Sequence, residues 1–302
     1  YELTSGDQNV IIGGHAGDAL NTGDDNTAVG HFALSAVTDA SDLTAFGRGA
    51  LQTNTSGAQN TAVGAYALDA CTEGDNNTAL GYNTLSALTT GDKNIAIGRN
   101  SLSQTVGGLG NVCVGNYTMN VSPGGDPSEG AYNVMIGDLA GDELTIASYC
   151  IGIGLNALGG VMTGAHNIAI GRSAGLVLTS GTSNTLIGPY AGDSVTSGAN
   201  NTALGNGAGA EATEGGNNTF LGKHAGNSGS PGGSITTASN EVCIGDENVT
   251  AANIQVDWTI ASDKRDKTDV SPMDLGLEFI NQLEPVTYRW DKRSKYSDDQ
   301  SA

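Results

Sequence analysis

Apolar and polar positions along this chain keep a fixed phase. In residues 60–76, Asn60 is followed by Thr61-Ala62-Val63 and Gly64, then Ala65-Tyr66-Ala67-Leu68, then a polar return through Thr72-Glu73-Gly74-Asp75. The glycine that closes the first phrase recurs fourteen times, from Gly13 to Gly245; eleven of the thirteen intervals are 17 residues and the other two are 22 and 23. A period of this length marks stacked supersecondary units, so the predicted fold class is all-β, a parallel β-solenoid of about fourteen seventeen-residue repeats. Numbered from Asn60 as position one, position two is always Thr, Val or Ile, and position four always Val, Ile, Leu or Phe. Such residues at i and i+2 predict a short strand with one buried face, which places Val63 in the core. Position three is mostly Ala, with Cys113, Gly152 and Phe220 among the departures. A strand apolar on both faces is covered on both: one face can fill the coil's own core, the other pack on a neighbouring chain.

The remaining positions read as corners and ladders. Gly at position five suits a turn with positive φ or a tight backbone approach. Position eight is small (Ala33, Ala50, Ala67, Thr84, Ser101), which predicts a second short strand, and a second Gly recurs at position fifteen. Asn opens eleven of the fourteen repeats, so stacking would align these side chains into amide ladders. Glycosylation is the competing reading for Asn54 and Asn116, which head N-x-S/T triplets. Gly, Thr and Asn are poor helix formers, which argues against a helical solenoid.

Composition narrows the function. The 302 residues carry 12 basic and 32 acidic groups, a net charge of −20. An anionic rod is a poor partner for nucleic-acid phosphates. No apolar run approaches the ~20 residues of a membrane span, and no secretory signal pattern is read, so membrane insertion is not expected. The four cysteines fit no metal spacing, and Cys113 and Cys243 share the alanine-rich position three, which reads as small buried side chains; neither metal nor cofactor is expected. Two insertions interrupt the beat, at residues 120–127 and 227–233. Loops on a rigid scaffold are common recognition sites, which makes Pro123, Asp126, Pro127 and Pro231 candidate binding positions. Tyr66, Tyr117 and Tyr190 share position seven, where they offer either sugar-stacking faces or aromatic infill of the surface.

The repeats, over residues 9–249, resemble the NTA-[VIL]-G repeats of viral and phage fibre proteins, and are similar to the β-roll heads of trimeric bacterial adhesins. After Ala252 the beat stops. Residues 254–260 alternate like a closing strand, residues 275–283 have apolar residues at helical spacing, Pro285 ends that helix, and residues 286–290 read as a strand. Ser262-Asp263-x-Arg265-x-Lys267, the helix and Pro285-Val-Thr-Tyr-Arg-Trp together resemble the start of the peptidase S74 intramolecular chaperone domain of phage tail spikes and fibres. The expected organisation is therefore 1–252 fibre repeats, 253–261 closing strand and junction, and 262–302 the N-terminal part of an S74-like domain.

That resemblance implies a chaperone that trimerises the fibre and then cuts the chain before a serine. Here the scissile bond would be Ala261–Ser262, with Ser262 as nucleophile, Lys267 as base, and Asp263 and Arg265 in support. A serine hydroxyl needs an adjacent base, and a lysine serves when burial lowers its pKa. The leading expectation is a homotrimeric virion fibre or tail spike for host attachment, extracellular. Its partners would be a host cell-surface receptor or glycan and other tail, baseplate or capsid proteins. A bacterial trimeric adhesin or surface filament is the alternative. A glycan-degrading tail spike is a third, for which no phased carboxylate pair can be picked out. Any autoproteolysis would be a single turnover, with no turnover enzyme expected.

Overall fold

The computed structural model describes residues 5–120 and 130–253. The chain divides at Ala251/Ala252 into two units, and nearly all of the second lies outside the described residues. The first unit carries fourteen three-residue strands. They are β1 (Val10–Ile12), β2 (Thr27–Val29), β3 (Thr44–Phe46), β4 (Thr61–Val63), β5 (Thr78–Leu80), β6 (Ile95–Ile97) and β7 (Val112–Val114). They continue as β8 (Val134–Ile136), β9 (Ile151–Ile153), β10 (Ile168–Ile170), β11 (Thr185–Ile187), β12 (Thr202–Leu204), β13 (Thr219–Leu221) and β14 (Val242–Ile244). All pair in sequence order into one parallel sheet, like position on like position: Thr61 against Thr78, Ala62 against Ala79, Val63 against Leu80. Each repeat is thus one rung of a parallel β-solenoid. At ~4.8 Å per rung the described rod is about 65 Å long.

Backbone groups are satisfied across rungs. The Thr61 N–H donates forward to the Asn77 carbonyl (2.8 Å), and the Gly64 N–H donates back to the Phe46 carbonyl (2.8 Å). Position-five glycine is required twice over. Gly64 sits at φ +136°, and a Cβ there would run into the carbonyl of Gly81 one rung on. The asparagine ladder is present and buried. Asn94 Oδ1 accepts from the backbone N–H of Asn111 (3.0 Å) and from Asn111 Nδ2 (3.2 Å), while Asn94 Nδ2 donates to the Gly108 carbonyl (2.7 Å). Each amide therefore ties its rung both to the next Asn and to the second-glycine corner. Asn54 is buried, which is at odds with a glycan there.

Two expectations need correction. Position three, not position four, faces the interior: from β2 to β14 the middle residue of every strand is buried, whereas Val63 is only half-buried and Phe46 is 55 % exposed. With one alternation available, the smaller side chain points in because Leu68 at position nine already fills the interior from the corner. The second strand at position eight does not form. Positions seven and nine are both left-handed, as in Tyr66 (φ 58°) and Leu68 (φ 50°), and so bracket Ala67 in a turn. Its backbone still ladders across rungs, Leu68 N–H to the Thr84 carbonyl at 2.9 Å.

The core is filled by complementary columns. Where position three is Ala, as in β2 to β6, position nine is Leu: Ala28 with Leu34, Ala62 with Leu68, Ala96 with Leu102. Where position three is large, position nine is glycine: Met135 with Gly141, Leu186 with Gly192, Phe220 with Gly226. A Cβ on Gly192 would lie 2.7 Å from Leu186 Cδ2, and one on Gly141 would lie 3.0 Å from Met135 Sδ.

Candidate functional site

Three surfaces follow from this fold. The first is the outward face of the sheet. Positions two and four project from each strand, and every one of these residues is Thr, Val, Ile, Leu or Phe. Val10, Ile12, Phe46, Leu80, Ile136 and Leu204 are among the exposed ones, and Val242 reaches 69 %. No charge interrupts this face on a chain whose net charge is −20.

The second surface is the corner just after position-five glycine, where positions six and seven form a column of cations and aromatic rings. Arg48, Arg99 and Arg172 each lie over the tyrosine of the next rung, with guanidinium carbons 5.0, 4.7 and 5.1 Å from the ring centroids of Tyr66, Tyr117 and Tyr190. The arginines are exposed and the tyrosines half-buried. The tyrosines anticipated at position seven are thus brought into line. Their arginine partners were missed, although a constant separation of 18 residues (48 to 66, 99 to 117, 172 to 190) is legible in the sequence. At the N-terminal end of the same column His15 stacks on Phe32 at 4.9 Å, and His31 meets Phe32 edge-on at 4.1 Å. On another edge of the rod, at position seventeen, Tyr132, Tyr149 and His166 form a continuous stack with 5.4 and 5.2 Å between centroids.

The third is the insertion at 227–233. Asn227 and Ser230 are buried and Pro231 is exposed at the tip. The Ser230 hydroxyl donates to the Asn227 carbonyl (2.7 Å), and Ser228 donates through its N–H and hydroxyl to Glu211 (3.1 and 3.2 Å). Hydrogen bonds to serine hydroxyls and the Ser228 N–H hold the Glu211 carboxyl below its usual range. Pro123, Asp126 and Pro127 of the other insertion lie outside the described residues, as do Ser262, Asp263, Arg265 and Lys267.

The cysteines behave as packing residues. All four are buried and free. Burial pushes the Cys71 thiol up to about 11 and that of Cys113 higher still, so neither is a nucleophile at neutral pH. Burial also raises the Asp142 carboxyl to about 6, with Glu143 adding to it.

No curated protein and no solved structure matches the chain. A family model does match its end. Residues 262–301, opening on Ser262 where the repeat has given way to a charged segment, match the peptidase S74 family, the chaperone of endosialidase.

Proposed function

We propose that the chain is a structural virion fibre, homotrimeric, that serves host attachment and is registered by a self-cleaving chaperone segment at its C-terminus. The observation that carries this reading is the outward sheet face, uncharged over fourteen rungs. An uncharged face of such length, apolar apart from a threonine at position two of seven strands, is far from the scattered apolar residues of an ordinary surface. Its side chains repeat every ~4.8 Å along the rod, so a partner that fits its whole length must have the same rise. A second copy of the chain has it. Three copies with these faces turned to a common axis would each bury Phe46, Leu80 and Leu204, and a match to a trimerising chaperone family supports three rather than two. Registering three long ladders is slow because the pairing is non-local, which gives a C-terminal clamp its purpose.

In the tail, Ser262 Oγ would attack the Ala261 carbonyl carbon while Lys267 accepts the hydroxyl proton. The peptide C–N bond breaks, the freed Ser262 amine takes a proton, and water hydrolyses the resulting ester. Asp263 and Arg265 would orient that pair.

Sedimentation of the full chain tests the assembly. The wild type should run as a trimer, and Val63→Asp with Leu80→Asp should run as a monomer of unchanged circular dichroism, because both side chains point away from the coil's core. A monomeric wild type would defeat the fibre reading; a double variant that stays trimeric would defeat the assigned face. On a denaturing gel Ser262→Ala should leave one uncut band, and continued cleavage at Ala261 would remove Ser262 as nucleophile.

A further inference from the structure

Four of the five basic residues in the described rod stand at one of the seventeen positions: Arg48, Arg99, Arg172 and Lys223 all follow a position-five glycine, leaving only Lys93 elsewhere. On so acidic a chain these cations would be expected to neutralise neighbouring carboxylates. None of them is in direct contact with one: the one ion pair among the described residues joins His15 to Asp18, and Lys223 acts on Asp246 only from a greater distance. Instead three of the four are propped on tyrosine rings, which orients a guanidinium while leaving its edge N–H groups free.

The column opens into a cleft at its first arginine. His31, Phe32, Arg48, Gly49, Gln52 and Tyr66 line an open cavity of about 540 Å³, within the range of small-ligand sites. Position seven, aromatic in the rungs on either side, is here Gly49. Phe32 is stacked on His15 on one side, and on the other Gly49 brings no side chain. Gly49 is at φ +64°, and a Cβ on it would lie 3.1 Å from Tyr66 Cδ1, so the gap depends on glycine. The cleft thus offers one apolar ring wall, one oriented guanidinium, and the Gln52 carboxamide and His31 imidazole beside them.

We propose that this cleft binds a carboxylated sugar unit of an acidic polysaccharide, with the carboxylate on Arg48, the ring's C–H face on Phe32 and hydroxyls on Gln52 and His31. The guanidinium fork matches a carboxylate in two parallel hydrogen bonds. A polymer fits better than a free acid because the cation recurs along the same edge. Arg99 stands three rungs beyond Arg48, Arg172 four beyond Arg99, and Lys223 three beyond that, spacings of about 14, 19 and 14 Å. The rod's overall negative charge does not forbid this, since screening over ~8 Å at physiological salt leaves the surroundings of Arg48 decisive. The carboxylates of the same column, Asp138 and Asp246, stand at the far rungs beside Arg99 and Lys223. The inference names the ligand class for the attachment role proposed above, but its readout does not depend on trimerisation.

The test is calorimetric titration of the full chain with a galacturonic acid hexamer, its fully methyl-esterified uncharged form, and a hyaluronan octasaccharide. At least one acidic probe should bind with Kd of about 1 mM or tighter, more weakly as salt is raised, and the ester at least tenfold more weakly. Arg48→Gln and Phe32→Ala should each weaken binding about tenfold, a loss of ~1.4 kcal/mol, while Lys93→Gln, off the column, leaves it unchanged. No binding of either acidic probe at about 10 mM, equal binding of the ester, or indifference to Arg48→Gln would each overturn the proposal. Binding that persists in a chain found to be monomeric would sink the trimer and leave the cleft standing.

Discussion

The N-terminal and C-terminal halves of the rod fill the same interior by opposite routes. From β2 to β6 the sheet contributes only alanine, and a leucine at position nine reaches in from the corner. From β10 to β13 position nine is glycine throughout (Gly175, Gly192, Gly209, Gly226), and Leu186 and Phe220 fill the space from the sheet side. Their neighbours Ala169 and Ala203 have no bulk of their own, so Gly175 is covered by Leu186 and Leu158, and Gly209 by Phe220. The first route places every leucine in left-handed backbone, as at Leu51 (φ 50°) and Leu85 (φ 53°), at a cost of about 1–2 kcal/mol each. The second gives the strained position to glycine, which adopts it freely, but concentrates the packing in few side chains. The difference teaches that a backbone repeat can be exact while its core is not, provided two columns compensate.

The largest effect should come from removing a concentrated packer. Phe220→Ala should cost about 3–5 kcal/mol in chemical denaturation, because Gly209 and Gly226 leave nothing to collapse into the cavity. Leu68→Ala, one of many equivalent leucines, should cost about 2–5 kcal/mol. If Phe220→Ala proves cheaper than Leu68→Ala, the halves do not differ in the way described. Next, Gly192→Leu alone should destabilise by about 1–3 kcal/mol through overpacking against Leu186, and adding Leu186→Ala should recover most of that loss by recreating the Ala62/Leu68 arrangement. Additive single effects would mean that the columns are independent. Asn94→Ala should cost about 1–3 kcal/mol, and Asn201→Ala less, since Asn94 adds amide–amide bonds to Asn77 and Asn111 that Asn201 does not make. The smallest effect concerns Asp142, which follows the glycine of the Met135 rung. Its folded pKa is raised above 3.8, so the native state holds the proton more tightly, and stability falls as pH rises from about 4 to about 6. Asp142→Asn should remove that fall, giving a higher melting temperature than the parent above pH 6 and no difference below pH 4.

Much of this was written in the period. Invariant glycine, the asparagine at position one and the triplet of strand residues are local requirements, each repeated often enough to be read without knowing the packing. The direction of the strand was not. Ala62 and Val63 are both apolar, and alternation alone does not say which face is inside; that depends on the width of the coil and on Leu68 arriving from a corner six residues on. Phe220 looked like a departure for the same reason, since its justification lies at Gly226, six residues on, and at Gly209 on the preceding turn. The cleft was half legible: the tyrosines at position seven carry the phase, but Arg48 reaches Tyr66 only across a rung, a contact that one repeat read alone does not contain.

Because every strand pairs with like position against like position, the rod's length is quantised. Excising residues 64–80 would join Val63 to Gly81 and leave all columns intact, one rung shorter. Losing sixteen residues instead would throw one strand out of phase and turn its alanine outward. A gene encoding this chain can therefore lengthen or shorten its product by recombination between units of 51 nucleotides, trying new reaches without designing a new fold.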